Sequence, residues 1–123
     1  MITIPGRPVP YVRTTQKAKF ASKSYARYRD YKQFIQIHAK NQFKQPVIEG
    51  YVKISINVYL NGKSVPMGND GDIDNYIKSI LDSLNKIIFK DDRQVIEVHA
   101  RKMPSKNERV EIEFEEIELI KEV

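Results

Sequence analysis

The segment YVKISINVYL, residues 51–60, alternates apolar and polar side chains without a break. In an extended chain this period of two places Val52, Ile54, Ile56, Val58 and Leu60 on one face. The pattern predicts a β-strand with one buried face. A sheet with an apolar face must be covered by other elements, so this strand constrains the fold more than any other segment.

Two further elements are predicted before this strand. Residues 1–4 alternate apolar and polar side chains and predict a short strand. Residues 24–43 predict a helix that Ser22 or Ser24 could cap. Its apolar stripe, at spacings of three and four residues, consists of Tyr28, Tyr31, Ile35 and Ala39. The segment between these two elements is rich in proline and basic residues, which predicts an irregular exposed loop.

The elements after the strand complete an α+β pattern. A helix is predicted from Asp74, with its apolar stripe formed by Ile77, Ile80, Leu81, Leu84 and Ile88. Strands are predicted over 94–104 and 110–120, and the apolar phase slips at Glu115 and Glu116, which indicates a bulge or the end of pairing. The order β-α-β-α-β-β predicts a single α+β domain over residues 1–123 with a mixed sheet.

The composition is that of an ordinary soluble protein. The hydrophobic fraction is 41% and the charged fraction 30%, and no apolar run is long enough to span a membrane. The N-terminus lacks the apolar core of a signal peptide. The absence of cysteine excludes disulfides and thiolate metal sites. We therefore expect a cytoplasmic protein without a membrane partner.

The positive charge is concentrated in the first part of the chain. Residues 1–50 contain ten Lys and Arg against two acids, whereas residues 107–123 contain two against seven. A basic segment of this kind suits a polyanionic partner, nucleic acid first and a membrane surface second. A solvated basic face accounts for the charge equally well.

Three aspartates, Asp70, Asp72 and Asp74, occupy alternate positions in the segment NDGDIDN. Their spacing matches the start of a calcium-binding EF-hand loop, but that loop then requires Gly and Glu where this chain has Asn75 and Leu81. A second interpretation is helix capping, with Asp74 as the N-cap and Asp72 near the positive end of the helix dipole.

A third interpretation is a metal site for phosphodiester hydrolysis. Lys78 shares a helix face with Asp74, and the pair Asp91–Asp92 comes just before the next strand. If that strand lay beside the helix N-terminus, these carboxylates would meet and would need a cation to offset their repulsion. Oxygen ligands without His or Cys favour Mg²⁺ or Mn²⁺, which can activate water and bind phosphate. With the basic N-terminal half, this pattern favours a metal-dependent nuclease over a non-catalytic DNA-binding module.

Several of these residues lie in longer motifs that resemble a known family. The segment GDIDNYIKSILDSLNKIIFKDDRQV, residues 71–95, is similar to the signature of the RusA-type Holliday junction resolvases, small endodeoxyribonucleases often encoded by phages and prophages. The segments GRPVP at 6–10, KMP at 102–104 and ERVEIEF at 108–114 are similar too. The resemblance implies an α+β homodimer that binds four-way DNA junctions in recombination and repair. It also implies Mg²⁺-dependent cuts in two strands of like polarity, which leave nicks that can be ligated.

The resemblance also implies roles for individual residues. Asp72, Asp74 and Asp92 would be catalytic carboxylates that hold the metal, and Lys78 would be the essential lysine. Asp91 would support these ligands or form a turn. Asp82 would orient Lys78 or would simply be a solvated helix acid, and Asp70 has no counterpart in the family pattern.

Candidate DNA contacts come from basic residues near these motifs. They are Arg7, Arg13, Lys17, Lys19, Arg93 and Lys102. The segment YVRTTQK at 11–17 departs from the denser basic stretch of similar family members, although Arg13 and Lys17 still supply positive charge there.

For the histidines and for three of the tyrosines, a structural role is favoured over a functional one. His38 is expected to be partly buried in the first helix, and His99 to be exposed on a strand. Tyr25, Tyr28 and Tyr31 are expected in the core or a dimer interface, with stacking on unpaired bases as the alternative. A nuclease with broader branched-DNA specificity is a further possibility that the sequence leaves open.

Overall fold

A computed structural model describes residues 1–13, 22–62 and 71–119 of the chain. In chain order, the elements of these residues are strand β1 (Ile2–Pro5), helix α1 (Lys23–Gln42), strand β2 (Tyr51–Leu60), helix α2 (Ile73–Leu84), a short 3₁₀ turn (Asp92–Gln94), strand β3 (Val95–Pro104) and strand β4 (Arg109–Ile117). The predicted order β-α-β-α-β-β and the α+β class are confirmed.

The four strands form one mixed sheet in the order β1-β4-β2-β3. Strands β1 and β2 both pair antiparallel with β4, whereas β2 and β3 run parallel. Every second residue of β2 is buried, as the alternation predicted: Val52, Ile54, Ile56, Val58 and Leu60. Parallel neighbours need a long crossover connection, and α2 lies within the connection from β2 to β3.

Helix α1 presents the predicted stripe to the core. Its N-cap is Ser22, whose Oγ accepts a hydrogen bond from the backbone N–H of Tyr25 at 3.1 Å. Its buried residues are Tyr28, Tyr31, Ile35 and Ala39. The core interpretation therefore holds for Tyr28 and Tyr31, whereas Tyr25 is only half-buried. His38 is half-buried, with its ring centroid 4.5 Å from that of Phe34, and His99 is exposed, both as predicted.

Two details of the prediction are wrong. The helical stripe was extended to Ile88, but α2 ends at Leu84 and a tight turn follows, with Lys86 at a φ of +68°. This turn still buries Ile88, because the chain folds back onto the core. A bulge at Glu115 and Glu116 is absent from the described pairing, which continues in register to Ile117. The slip therefore marks neither a bulge nor the end of pairing at these two residues, and β4 ends one residue later.

None of the helices in the described ranges combines the length and the apolar composition that a membrane span requires. Helix α1 has 20 residues, but Lys and Arg side chains flank its apolar stripe.

The side chain of Gln94 fixes the start of β3. Its Nε2 donates to the carbonyls of Ile48 and Gly50 at 2.9 and 2.8 Å, and its Oε1 accepts from the backbone N–H of Asp91 at 2.9 Å. Asp91 in turn caps the 3₁₀ turn, and its Oδ1 accepts from the N–H of Arg93 at 2.8 Å. This network holds the Asp91–Asp92 pair in place relative to the sheet.

We expect Gln94→Ala to lower the free energy of unfolding by about 1–3 kcal/mol, because two carbonyls and one N–H lose a partly buried partner. Urea unfolding followed by circular dichroism measures the change. Arg93→Ala is the matched control, since the Arg93 side chain is 88% exposed and its loss should cost less than about 0.5 kcal/mol. Equal effects of the two substitutions would contradict the bracing role of Gln94.

Candidate active site

The carboxylates of Asp72 and Asp74 lie at the N-terminus of α2. Asp72 is the N-cap residue, and Asp74 lies in the first turn, so the prediction that Asp74 is the N-cap is wrong. The side chain of Asp72 makes no capping hydrogen bond, and one oxygen of Asp74 accepts from the N–H of Asn75 at 3.0 Å. Both side chains are exposed. Capping therefore leaves most of the oxygen lone pairs of these carboxylates open to a ligand.

Gly71, which precedes Asp72, contacts two other segments of the chain. Gly71 has a φ of +122°, and a Cβ at this position would lie 3.0 Å from Cγ of Pro10. Glycine is required here because the conformation and the close approach both exclude a side chain. The carbonyl of Gly71 accepts a hydrogen bond from Nζ of Lys102 at 2.8 Å. The N-terminal segment and β3 thus position the start of α2 together.

Lys78 contacts an aromatic ring. Its Nζ lies 4.2 Å from the ring centroid of Tyr11, within the range of a cation–π interaction. Tyr11 is itself tied to α2, because its backbone N–H donates to the carbonyl of Asn75 at 2.9 Å. Among the described residues, no carboxylate forms an ion pair with Lys78, and its side chain is exposed.

Asp82, one helical turn beyond Lys78, interacts with α1. Its Oδ2 accepts a hydrogen bond from the hydroxyl of Tyr28 at 3.2 Å. Burial raises the pKa of Tyr28, and the nearby Asp82 carboxylate raises it further, so the phenol remains a donor. The expectation that Asp82 is either an ion-pair partner of Lys78 or a solvated acid is therefore replaced by a contact between the two helices.

The Asp91–Asp92 pair lies near the other end of α2. Partial burial raises the pKa of Asp92, and the neighbouring carboxylates of Asp91 and Asp82 raise it further. The pKa of Asp91 is lowered, chiefly by the hydrogen bond from the backbone N–H of Arg93. Asp74 and Asp82 are eight residues apart, about 12 Å along the helix axis.

The expected meeting of all these carboxylates is not found in the described residues. Within residues 1–13, 22–62 and 71–119, no three acidic or histidine side chains are close enough to hold a metal ion together. The reason is the parallel pairing of β2 and β3, which brings the start of β3 beside the end of α2 rather than its beginning. Asp70 lies outside the described residues.

The candidate DNA contacts are dispersed. Arg7 forms an ion pair with Glu108, and Arg13 is exposed at the end of the first described segment. Arg93 lies 3.2 Å from Oδ1 of Asp91, and Lys102 is engaged with Gly71. Lys17 and Lys19 lie outside the described residues. Whether any of these side chains binds DNA remains a prediction.

Sequence reasoning missed Tyr11, Gly71 and Gln94. Each acts through a partner distant in the chain or through backbone conformation, and no periodicity marks such a contact. Two signals were available: Gly71 in GDIDN, because glycine permits a close approach, and Gln94 in the DDRQV part of the family motif.

Two comparisons with known proteins agree with these motifs. The sequence profile of the endodeoxyribonuclease RusA family matches residues 5–115. The chain is also similar to the uncharacterized protein YqaN of Bacillus subtilis (strain 168), with 28% identity over 134 aligned positions that cover 94% of each chain. Because the family profile spans most of the chain, the protein belongs to the RusA family of endodeoxyribonucleases.

The raised pKa of Asp92 leads to a test of stability. Because this pKa is raised, the carboxylate is harder to ionise in the folded chain than in the unfolded chain. The stabilisation that protonated Asp92 gives the folded state is present at low pH and is lost as pH rises through the folded pKa. Asp92→Asn removes the repulsion and should raise Tm by up to about 4 °C at pH 7. The gain should shrink near pH 3.5, and differential scanning calorimetry at both pH values measures it.

Asp91→Asn is the matched control with the opposite sign. The pKa of Asp91 is lowered, so its ionised form stabilises the fold above its unfolded pKa, and this stabilisation is lost as pH falls. This variant should lower Tm at pH 7. A lower Tm for both variants would show that the neighbouring carboxylates do not destabilise the ionised form of Asp92.

Proposed function

We propose that this protein is a Mg²⁺-dependent nuclease that resolves four-way DNA junctions during recombination and repair. The observation that carries the proposal is the pair of open carboxylates at the start of α2, followed one turn later by a lysine with no acidic partner among the described residues. Membership of the RusA endodeoxyribonuclease family supports DNA as the substrate.

The donor set at the start of α2 is compatible with Mg²⁺. Mg²⁺ in proteins is often held by one or two carboxylates, with water and phosphate oxygens as the other ligands. Asp72 and Asp74 supply such a pair, both exposed, and Asp74 precedes Lys78 by one turn on the same helix face. Mn²⁺, which prefers similar oxygen ligands, is the expected substitute. Asp92 is proposed as the further carboxylate from the family pattern alone, and Asp91 as its support.

The reaction class follows from the product that a resolvase must leave. A nick that ligation can close carries a 5′-phosphate and a 3′-hydroxyl, so water attacks phosphorus and the bond from phosphorus to O3′ breaks. Bound Mg²⁺ would lower the pKa of the attacking water and offset charge on the phosphoryl oxygens. Asp72 and Asp74 would hold that ion beside the reacting phosphate. The Lys78 ammonium group contacts a non-bridging oxygen, where negative charge grows in the transition state.

Substrate binding is proposed to rely on phosphate contacts from the basic N-terminal half. Such binding weakens steeply as salt concentration rises, because released counterions supply much of the affinity. Arg13, exposed two residues after Tyr11, is one proposed contact, together with Lys17 and Lys19. Arg7, Arg93 and Lys102 have protein partners and would have to share or exchange them.

Asp74→Asn tests the catalytic assignment. We expect cleavage of a labelled synthetic four-way junction in Mg²⁺ to fall below detection, whereas junction binding stays equal or becomes tighter because one repelling charge is gone. Lys78→Ala should lower the cleavage rate by about 10²–10³-fold. Gel analysis of products, with EDTA and linear-duplex controls, measures both effects.

Asp30→Asn is the matched control for the loss of one carboxylate, since Asp30 is exposed on α1 and its side chain is remote in sequence from the motif. It should cleave like the wild type. Full cleavage by Asp74→Asn would remove the aspartate pair from the mechanism. Equal cleavage of linear duplex would instead indicate a nuclease of broader specificity.

We further propose that the protein acts as a homodimer that pairs through β3. This strand is an edge of the sheet, and two of its apolar side chains, Ile96 and Val98, are 44% and 38% exposed. A long edge strand with exposed apolar residues is prone to pair with another strand. Antiparallel pairing about a twofold axis at His99 would set Glu97 of one copy opposite Arg101 of the other. Such a dimer would present two sites to a junction of similar symmetry.

Val98→Asp should convert the dimer to a monomer, because a charge would be buried at the centre of the paired edge. Size-exclusion chromatography with light scattering measures the mass of the wild type and the variant. Ile37→Asp is the control, since Ile37 is 59% exposed on α1, away from the edge. A dimer that survives Val98→Asp but not Ile37→Asp would move the interface to α1.

A further inference from the structure

We propose that Tyr11 is a positioning residue for Lys78, holding its ammonium group in place for the scissile phosphate without neutralising it. This inference rests on the proposed function, in which Lys78 contacts the phosphate. It adds a residue outside the acidic motif, on the N-terminal segment, to the set that determines the cleavage rate.

The starting observation is the contact itself. The ammonium group of Lys78 lies over the ring of Tyr11, 4.2 Å from the centroid. An aromatic face attracts a cation through its quadrupole and provides no net negative charge. A lysine held in this way retains its full positive charge for another partner, whereas a carboxylate at the same place would offset it.

The two acids that could neutralise Lys78 have other contacts. Asp74 and Asp82 lie four residues before and after Lys78 on the same helix face, the spacing at which ion pairs form. Asp82 instead accepts the hydroxyl hydrogen bond of Tyr28, and Asp74 accepts from the N–H of Asn75. Asp82 is therefore hydrogen-bonded to α1, and the Lys78 ammonium group contacts the ring of Tyr11 instead of a carboxylate.

The ring of Tyr11 is itself fixed on several sides. It packs edge-on against the ring of Tyr28, with centroids 5.3 Å apart and planes at 83°. Tyr28 is buried, so this contact is anchored in the core. The backbone N–H of Tyr11 is bonded to the carbonyl of Asn75, and the preceding Pro10 lies against Gly71. The ring is therefore held against Tyr28, and the backbone of Tyr11 is held at the start of α2.

Fixing the lysine has a clear kinetic benefit. A free lysine side chain has four rotatable bonds and loses considerable conformational freedom when it must reach one position. The Tyr11 ring limits that freedom before the substrate arrives, and preorganised groups of this kind lower the barrier to reaction. The effect should appear in the rate of the chemical step rather than in the affinity for DNA.

The test compares Tyr11→Leu with Tyr11→Phe. Leucine removes the aromatic face, and we expect the single-turnover cleavage rate to fall by about 3–30-fold, with the Kd for the junction changed less than about twofold. Phenylalanine keeps the face and should restore nearly the full rate. Tyr59→Leu is the matched control, because Tyr59 on β2 carries a similar cation, Arg109, 3.8 Å from its ring centroid. It should leave cleavage unchanged.

A double-mutant cycle separates positioning from general damage. In a Lys78→Ala background, Tyr11→Leu should lower the residual rate by less than about twofold, because the group it positions is gone. A full additional loss in that background would overturn the inference. So would a wild-type rate for Tyr11→Leu, an equal loss in Tyr11→Phe, or full activity of Lys78→Ala.

A second measurement needs no activity. The ε-methylene resonances of Lys78, observed by proton–carbon NMR of the free protein, should show an upfield ring-current shift in the wild type and in Tyr11→Phe. The shift should disappear in Tyr11→Leu, and its absence from the wild type would overturn the contact. A wild type that cleaves no DNA would count against the proposed function, while the NMR result would still decide whether Tyr11 holds Lys78.

Discussion

The parallel pairing of β2 with β3 is the constraint on which the arrangement of the candidate site depends. Two parallel neighbours need a connection that returns along the sheet, and α2 lies in that connection. The beginning of α2 then lies near the end of β3, where Lys102 reaches the carbonyl of Gly71. Its end lies near the start of β3, where partial burial and the carboxylates of Asp91 and Asp82 raise the pKa of Asp92. The functional groups are consequently spread along the helix.

The other determinant of the site is the N-terminal segment that crosses α2. Its Pro10 approaches Gly71 so closely that a side chain is excluded there, and its Tyr11 binds both the backbone and the lysine of α2. Sequence analysis treats this segment as an irregular basic loop, but its Pro10 and Tyr11 are part of the framework of the site. Substitutions in it are therefore expected to act on chemistry as well as on DNA binding.

Much of the fold could be predicted because its signals are periodic. The alternation in β2 and the stripe of α1 each depend on repeating contacts with one core, and both were confirmed residue by residue. The errors occurred where periodicity is broken by a turn or a strand end. Ile88 continues the helical stripe but is buried by a turn, and the slip at Glu115 and Glu116 is the approach to the end of β4.

The sequence by itself determined the fold class, the family and the acidic and basic residues of the motif, because these are carried by local pattern and by residue identity. Only the tertiary structure decided which of those residues meet. It brought Asp82 close enough to Asp92 to contribute to the raised pKa of Asp92. It also placed the Lys78 ammonium group over the ring of Tyr11 and hydrogen-bonded Lys102 to the carbonyl of Gly71. Contacts of this kind depend on strand direction and on the packing of distant segments, neither of which leaves a periodic signal in the chain.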